Sequence, residues 1–223
     1  MPTLLQSAAS NNSSPGSVSS ANLTYALAVS AGSLVVCVFS CYQTVSATLG
    51  VSDNVNSTSW INAIQVDNSN ANLAIFYYPN SIAGTMQVTC TQSGSAQPMR
   101  FGLQEWSGIA LINPLDKVIA ATPGSSTTPS SGNTASTTQA NELVIGGISG
   151  ASGTPTITAG GAAMLDFQTV GRLGIEYQIV TSPGPQSAAF NYASADLAAV
   201  VCATFKAASA AASSYSLGGN LEF

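Results

Sequence analysis

The sequence predicts an all-β protein, a two-sheet antiparallel β-sandwich, and three observations carry that expectation. Short β-branched or aromatic runs recur along the whole 223-residue chain, separated by clusters of Gly, Pro, Asn and Ser, which is the spacing of strands and turns. Within several runs apolar and polar residues alternate, the period of a strand with one solvated face. No stretch carries a helical stripe: residues 206–212 form an Ala/Ser segment with neither an apolar face nor a cap.

Taken in order, residues 3–8 open the series and an Asn/Ser loop at 11–20 separates them from a strand at 22–29. Residues 33–42 contain the continuous apolar run Leu34-Val35-Val36-Cys37-Val38-Phe39, which predicts cover on both faces. A strand at 60–66 is followed by one at 72–78, where Leu73, Ile75 and Tyr77 share a face while Phe76 and Tyr78 make the other apolar too. That strand is expected to be central. Strands at 85–91, 99–106 and 117–121 complete the first half. Residues 122–140 are uncharged and of low complexity, and read as a flexible crossing between two sheets. Beyond them strands are expected at 142–148, 164–170, 173–180, 187–192 and 197–206. Alternation in the 173–180 strand points Leu173, Ile175, Tyr177 and Ile179 inward and Glu176 outward. Residues 1–206 read as one domain, a size at which all-β sandwiches are common, and 207–223 as a C-terminal tail or arm.

Charge narrows the function. Nine Asp plus Glu and four Lys plus Arg make 6% of the chain, where a globular chain averages about 25%. At 45% hydrophobic residues the chain has the means to fold. A nucleic-acid binder must neutralise phosphates, and Arg100, Lys117, Arg172 and Lys206 are too few and too scattered to do so. No apolar run approaches the 18 or so residues of a membrane span, so no membrane insertion is expected. The chain has no histidine, which removes the commonest general base, the Ser-His-Asp and Cys-His arrangements, and nearly every zinc, copper or non-haem iron site. No cofactor is implied. Met1-Pro2-Thr3-Leu4-Leu5-Gln6-Ser7 lacks the basic and apolar regions of a secretory signal.

Among the remaining chemistry, Cys37, Cys41, Cys90 and Cys202 occur in apolar or β-prone runs and read as small buried hydrophobes, with a disulfide among them as the alternative. Cys37 and Cys41 share a face of one strand but lie roughly 13 Å apart along it, too far to bridge each other. Glu105 shares the face of Phe101 and Leu103, so a carboxylate points among apolar side chains and needs backbone donors or a cation. A catalytic pair with Glu176 is the competing reading, and opposite facing of the two strands argues against it. The Asp53-Asn54-Val55-Asn56 and Asp67-Asn68-Ser69-Asn70 loops offer oxygens suited to Ca²⁺, but Asp-Asn clusters are ordinary turn formers and neither matches the twelve-residue calcium loop. The aromatic residues Trp60, Tyr78 and Trp106, at strand ends, are candidates for contact with a glycan or a partner. Tyr215 and Phe223 of the tail are candidates for contact with a neighbouring subunit.

A series of short motifs carries a resemblance. In order they are Val51-Ser52-Asp53-Asn54, Ala74-Ile75-Phe76-Tyr77-Tyr78-Pro79-Asn80, Gly84-Thr85-Met86-Gln87-Val88-Thr89, Gln104-Glu105-Trp106-Ser107-Gly108, Asn113-Pro114-Leu115-Asp116, Thr138-Gln139-Ala140-Asn141-Glu142-Leu143-Val144-Ile145-Gly146, Glu176-Tyr177-Gln178-Ile179-Val180 and Ala198-Ala199-Val200-Val201-Cys202-Ala203-Thr204-Phe205-Lys206. Together they resemble a β-sandwich module that recurs in bacterial extracellular proteins and in tailed-phage virion proteins. The resemblance implies a jelly-roll-like sandwich with a display, adhesive or capsid-decorating role, and it brings no catalytic residue. The expectation is therefore a non-enzymatic structural protein of a tailed-phage virion surface, foremost a head decoration or cement protein, assembled in the host cytoplasm. A carbohydrate-binding or adhesive module of a bacterial cell-surface protein, working outside the cell, is the alternative. Expected partners are further copies of the chain, capsid proteins, or a glycan.

Overall fold

The computed structural model describes residues 1–12, 18–42, 46–68, 71–152, 156–160, 164–169 and 172–209, with 10–12 and 164–169 given by backbone path alone. The first half of the chain supplies β1 (Thr3–Asn12), β2 (Ser20–Thr24), β3 (Leu34–Cys41), β4 (Leu49–Asp53), β5 (Ile61–Asp67), β6 (Asn72–Tyr78), β7 (Gln87–Gln92) and β8 (Met99–Ser107). The second half supplies β9 (Leu115–Ala121), β10 (Glu142–Gly150), β11 (Ile157–Ala159), β12 (Met164–Thr169), β13 (Leu173–Val180), β14 (Phe190–Tyr192) and β15 (Ala198–Phe205). Among the described residues there is no helix.

Two five-stranded antiparallel sheets face each other, one in the order β1-β8-β3-β6-β5 and the other β12-β13-β10-β15-β9. The all-β sandwich is thus present. Between the sheets lie Val36 and Val38 of β3, Leu73, Ile75 and Tyr77 of β6, Leu143 and Ile145 of β10, Leu173 and Ile175 of β13, and Val201 and Phe205 of β15. Alternation explains this set, because each strand gives every second residue to the interior. Each such side chain removed from water contributes about 1.5 to 3 kcal/mol before the entropy of ordering is counted.

Each sheet also carries a further layer on its outer face. Val35, Cys37 and Phe39 of β3 turn away from the facing sheet and pack with Val51, Met86, Val88 and Cys90 under the three-stranded sheet β2-β7-β4. This is why the Leu34–Cys41 run is apolar throughout: both of its faces are buried. β6 is covered in the same way, as its two apolar faces predict. On the second sheet, Val144, Ile148, Val200 and Cys202 pack against Ile157, Phe190 and Tyr192 of the two-stranded β11-β14 sheet.

The segment 122–140 belongs to that outer layer and is no slack crossing. Its backbone amides pair along residues 184–196, with Ser131 N to Ala188 O at 2.9 Å, Thr134 N to Gln186 O at 2.8 Å and Thr137 N to Gly184 O at 3.0 Å. Ser131, Thr134 and Thr137 are buried, and their hydroxyls accept the N–H groups of Ala188, Gln186 and Gly184. The burial period is three, neither the two of a strand nor the 3.6 of a helix. Each inward hydroxyl satisfies a backbone donor that would otherwise be stranded.

All four cysteines are free and buried; Cys37 Sγ and Cys90 Sγ approach to 3.7 Å across the first outer layer. Glycine sets the spacing of the layers at one place. A Cβ on Gly147 would lie 2.6 Å from Val38 Cγ1 and 3.0 Å from Val201 Cγ2, so β10 comes as close to β3 as it does only because residue 147 has no side chain.

Candidate functional site

Trp60 ends a turn that Asp53 organises. The Asp53 carboxylate accepts the N–H groups of Val55 and Asn56 at 2.7 and 2.6 Å, the Asn56 amide at 3.0 Å, and the Trp60 indole N–H at 2.6 Å. Every one of these donors is local, so the Asp/Asn cluster works as a turn former. Asn68 does the same for its turn, accepting the Ala71 N–H at 2.8 Å, while Ser69 and Asn70 lie outside the described residues. The turn closes on the edge of β4, where Trp60 N donates to Val51 O at 3.1 Å. Trp60 is 5% exposed, and with Phe76 it floors a hollow of about 300 Å³ rimmed by Ser52, Ser59 and Thr91. An aromatic floor with hydroxyl rims is the composition of a small glycan subsite.

The other aromatic candidates part company. Trp106 does not stand exposed at its strand end: it is fully buried, 5.0 Å from Tyr177 in an edge-to-face pair, and its indole N–H donates to Gln104 Oε1 at 3.2 Å. It belongs to the core between the sheets and offers no surface. Tyr78 is half-buried, and its hydroxyl accepts from Thr58 Oγ1 at 3.2 Å on the Trp60 turn. Tyr215 and Phe223 lie outside the described residues.

Glu105 is buried as its strand position requires, and it accepts the Gln6 side-chain amide at 2.6 Å and the Ser30 N–H at 2.7 Å. Gln6 in turn bonds both backbone groups of Leu27 at 3.1 Å, so the carboxylate anchors the 27–30 loop to β8. Glu176 differs from the outward, solvated position that alternation assigns it. It is on the outer face, but that face is covered, and the residue is 2% exposed. Gly146, its cross-strand partner, leaves it room: a Cβ there would lie 2.8 Å from Glu176 Cγ. Glu176 Oε1 accepts the Ala189 N–H at 2.9 Å, and its Oε2 has no hydrogen-bond partner among the described residues. Burial pushes its pKa up to about 7. Glu105 and Glu176 occupy the outer faces of opposite sheets, and sheets pack about 10 Å apart, so the two carboxylates do not converge.

Sequence reasoning missed a second acidic pair, Asp116 and Glu142. Asp116 accepts the Thr138 N–H at 2.7 Å, the Thr138 hydroxyl at 2.9 Å and the Lys117 ammonium at 3.1 Å. Burial raises its pKa, but these donors together outweigh burial and hold it below the ordinary value. Glu142 is fully buried and moves the other way, pushed up by burial and by the neighbouring Asp116 charge. The two carboxylates are close enough for the charge on Asp116 to disfavour ionisation of Glu142. The pair locks the end of the 122–140 segment to β9 and β10, and its only sequence trace is the acidic residue in each of Asn113-Pro114-Leu115-Asp116 and Asn141-Glu142-Leu143.

A surface feature stands at one end of the sandwich. Gly108 (φ +73°) follows β8, and there both ends of the described chain meet: Ala208 N donates to Gly108 O at 2.9 Å, and a Cβ on Gly108 would overlap the Met1 carbonyl. The adjoining loop carries Leu111 and Ile112, and Ile112 is 79% exposed. Leu111 Cδ2 lies 3.7 Å from where a Cβ on Gly32 would be, beside the Asn80 side chain, and Gly32 N donates to Ser81 O at 2.9 Å. Ile82 and Leu27 are exposed on loops of their own, Ile82 N donating to Asn56 Oδ1 at 3.1 Å and Leu27 held by Gln6. Leu111 and Ile112, consecutive and both exposed, make their loop a candidate contact site.

The fold and these surfaces define a layered all-β protein whose candidate sites are one apolar loop and one small aromatic-floored hollow. Compared with known proteins, the chain matches no family model, no curated protein and no solved structure.

Proposed function

We propose that the chain is a non-enzymatic structural protein that works by surface association, foremost a head decoration or cement protein on the surface of a tailed-phage virion. The observation that carries the association is the exposure of the large apolar side chains Leu27, Ile82, Leu111 and Ile112 on a chain with 6% charged residues. Such a surface favours broad neutral contact with protein neighbours over a charged or polar ligand. The virion setting rests on the resemblance to the jelly-roll-like module of phage and extracellular proteins. Glu105 and Asp116 support the non-catalytic role, since their carboxylates are taken up in holding loops to strands. The test is the particle itself. Quantitative mass spectrometry of purified virions should find the chain in a fixed ratio to the major capsid protein, with antibody labelling on the head. Purified virions without the chain would overturn the reading.

A specific observation favours a second reading, a carbohydrate-binding or adhesive module at a bacterial cell surface. The Trp60–Phe76 hollow is large enough for part of one sugar ring, and its rim supplies three hydroxyls. Ser52→Trp fills it from an exposed rim position without touching the core. On this reading glycan-array binding by the wild type is lost in the variant, and an array without signal removes the reading.

A further inference from the structure

We infer that Arg100 and Arg172 form an oxyanion site at the end of the sandwich where β3 finishes and β8 begins, with both guanidinium groups holding one phosphate or sulfate. The strand register brings the two together. Arg100 of β8 lies opposite Ser40 of β3, so their side chains share the face turned to the second sheet, and Ser40 Oγ reaches Ser149 Oγ of β10 at 2.7 Å. Just past β3, Tyr42 N donates to Pro98 O at 3.1 Å, and the Tyr42 ring lies under Arg172, whose guanidinium carbon is 5.3 Å from the ring centroid. Arg172 donates from Nη1 to the carbonyls of Gly150 and Ala151 and from Nη2 to that of Ser152 at 3.2 Å. Gly150 follows the serine that touches Ser40, so the two arginines stand on neighbouring residues across the sheet interface. Burial, then the charge of Arg172, lowers the Arg100 pKa, as that proximity requires.

What the pair lacks is a counter-charge. The chain has nine acidic residues and only four cations, yet two of the four converge here. Among the described residues the buried Arg100 Nε has no hydrogen-bond partner, and neither arginine is paired with a carboxylate. Asp196 adjoins the 150–152 carbonyls, but its oxygens accept the Ser152 N–H, the Ser152 hydroxyl and the Leu197 N–H, each at 2.9 Å. Residues 43–45, 153–155 and 170–171, next in sequence to the site, include no Asp or Glu. Like charges brought together and partly withdrawn from water repel until an anion joins them. Three carbonyls and an aromatic ring fix Arg172 in advance, and beyond those three bonds at least two of its five N–H groups remain. A guanidinium presents paired N–H groups that match the oxygens of a phosphate, and two guanidiniums match its double charge. The ligand class is therefore a tetrahedral dianion, free or carried as an ester on a larger molecule. Roughly 20 Å of β8 separates the site from the Leu111–Ile112 loop, so it does not depend on the surface association.

Inorganic phosphate is the first probe. Titrated into the full chain at constant ionic strength, with chloride as the anion it replaces, it should raise the melting midpoint in a saturable way. Arg100→Met keeps the length and loses the charge, and should bind phosphate at least about tenfold more weakly with an unchanged circular dichroism spectrum. Arg100→Lys keeps the charge without the fork and should fall between the two. Arg172→Lys should weaken binding in the same direction, and wild-type affinity in that variant would overturn the pair. Lys206→Met removes a cation whose backbone lies against Pro114 and Ala110, at the other end of the sandwich, and should bind as the wild type does. A midpoint that does not respond, a response that never saturates, or an equal response in Arg100→Met would overturn the site. Glucose 6-phosphate, with glucose as its control, then distinguishes the two sources of the ligand. Tighter binding than inorganic phosphate marks an ester and equal or weaker binding marks the free ion, and either upholds the site.

Discussion

At Glu176 burial outweighs the backbone amides of Ala189 and Gly160 that the carboxylate accepts from, and the pKa reaches about 7 against an ordinary 4.5. Between those two values the folded chain holds a proton that the unfolded chain has released, so stability is full below the lower value and falls as pH rises through the upper one. At about 1.4 kcal/mol per unit, the loss is about 3 kcal/mol. Asp116 works in the opposite sense, contributing stability above its ordinary 3.8 and losing it as pH falls. Denaturant unfolding of the wild type should therefore show stability declining from pH 5 to 8. Glu176→Gln keeps the Oε1 acceptor and should flatten most of that decline, the remainder belonging to Glu142, whose pKa is also raised. An unchanged slope in the variant would refute the assignment. Arg100 is a second residue with an unmet cost. Among the described residues its Nε is buried without a partner, and burial, then the charge of Arg172, lowers its pKa. Replacing a partly buried unpaired cation with an apolar side chain of similar length removes that cost. Arg100→Met should raise the unfolding free energy by on the order of 1 kcal/mol, and a lower denaturation midpoint would count against the argument.

At the scale of elements, the strands with strong apolar patterns were legible: 72–78 and 173–180 coincide with β6 and β13, and most others agree within a few residues. Two short strands, β4 and β11, were not. Leu49-Gly50-Val51-Ser52-Asp53 and Ile157-Thr158-Ala159 carry too few apolar residues to show a period, and they exist because a neighbouring strand supplies their ladder. The outer layers escaped for a related reason. Alternation assumes that a polar face meets water, whereas the polar face of β13 meets β11 and the backbone at Ala189, on which the 122–140 segment pairs in turn with inward hydroxyls at a period of three. Of the candidate site, the Trp60 turn was legible from its Asp/Asn cluster, but the exposure of Leu27, Ile82 and Ile112 was not, because a single apolar residue in a loop carries no periodicity that says which way it faces. Gly147 tests how tightly the elements are held. The added methyl of Gly147→Ala meets Val38 and Val201, both fixed in central strands, and overpacking of this kind costs about 1 to 3 kcal/mol. Thermal melts should show the loss; a variant as stable as the wild type would mean that the two sheets separate more freely than their packing implies.

For the whole molecule, the chain divides its layers in sequence order. Residues 3–107 make the first five-stranded sheet and its three-stranded cover, and residues 115–205 make the second sheet and its own cover. Either half therefore has a core of its own, and the question is whether they unfold as one. The contact between them argues that they do. It is the Val36, Ile75, Leu143, Ile175 and Phe205 layer, apolar apart from a buried hydrogen bond between the Ser40 and Ser149 hydroxyls at 2.7 Å, with Tyr77 and Phe205 5.3 Å apart and Trp106 against Tyr177. Mobile domains meet through smaller and more polar interfaces than this. Separation would expose the inner faces of β3, β6, β10 and β15 at once, a cost neither half can offset from its own outer core. The two tryptophans give the test, because Trp60 reports the outer core of the first half while Trp106 reports the contact between halves. In Trp60→Phe the remaining emission comes from Trp106, and in Trp106→Phe from Trp60. Urea unfolding followed by fluorescence and by far-ultraviolet circular dichroism should give, within each variant, coincident midpoints, as a two-state transition requires. If Trp106 became exposed at a lower urea concentration than the loss of strand signal, the halves would be separate folding units, and the single domain expected over residues 1–206 would have to be divided between β8 and β9.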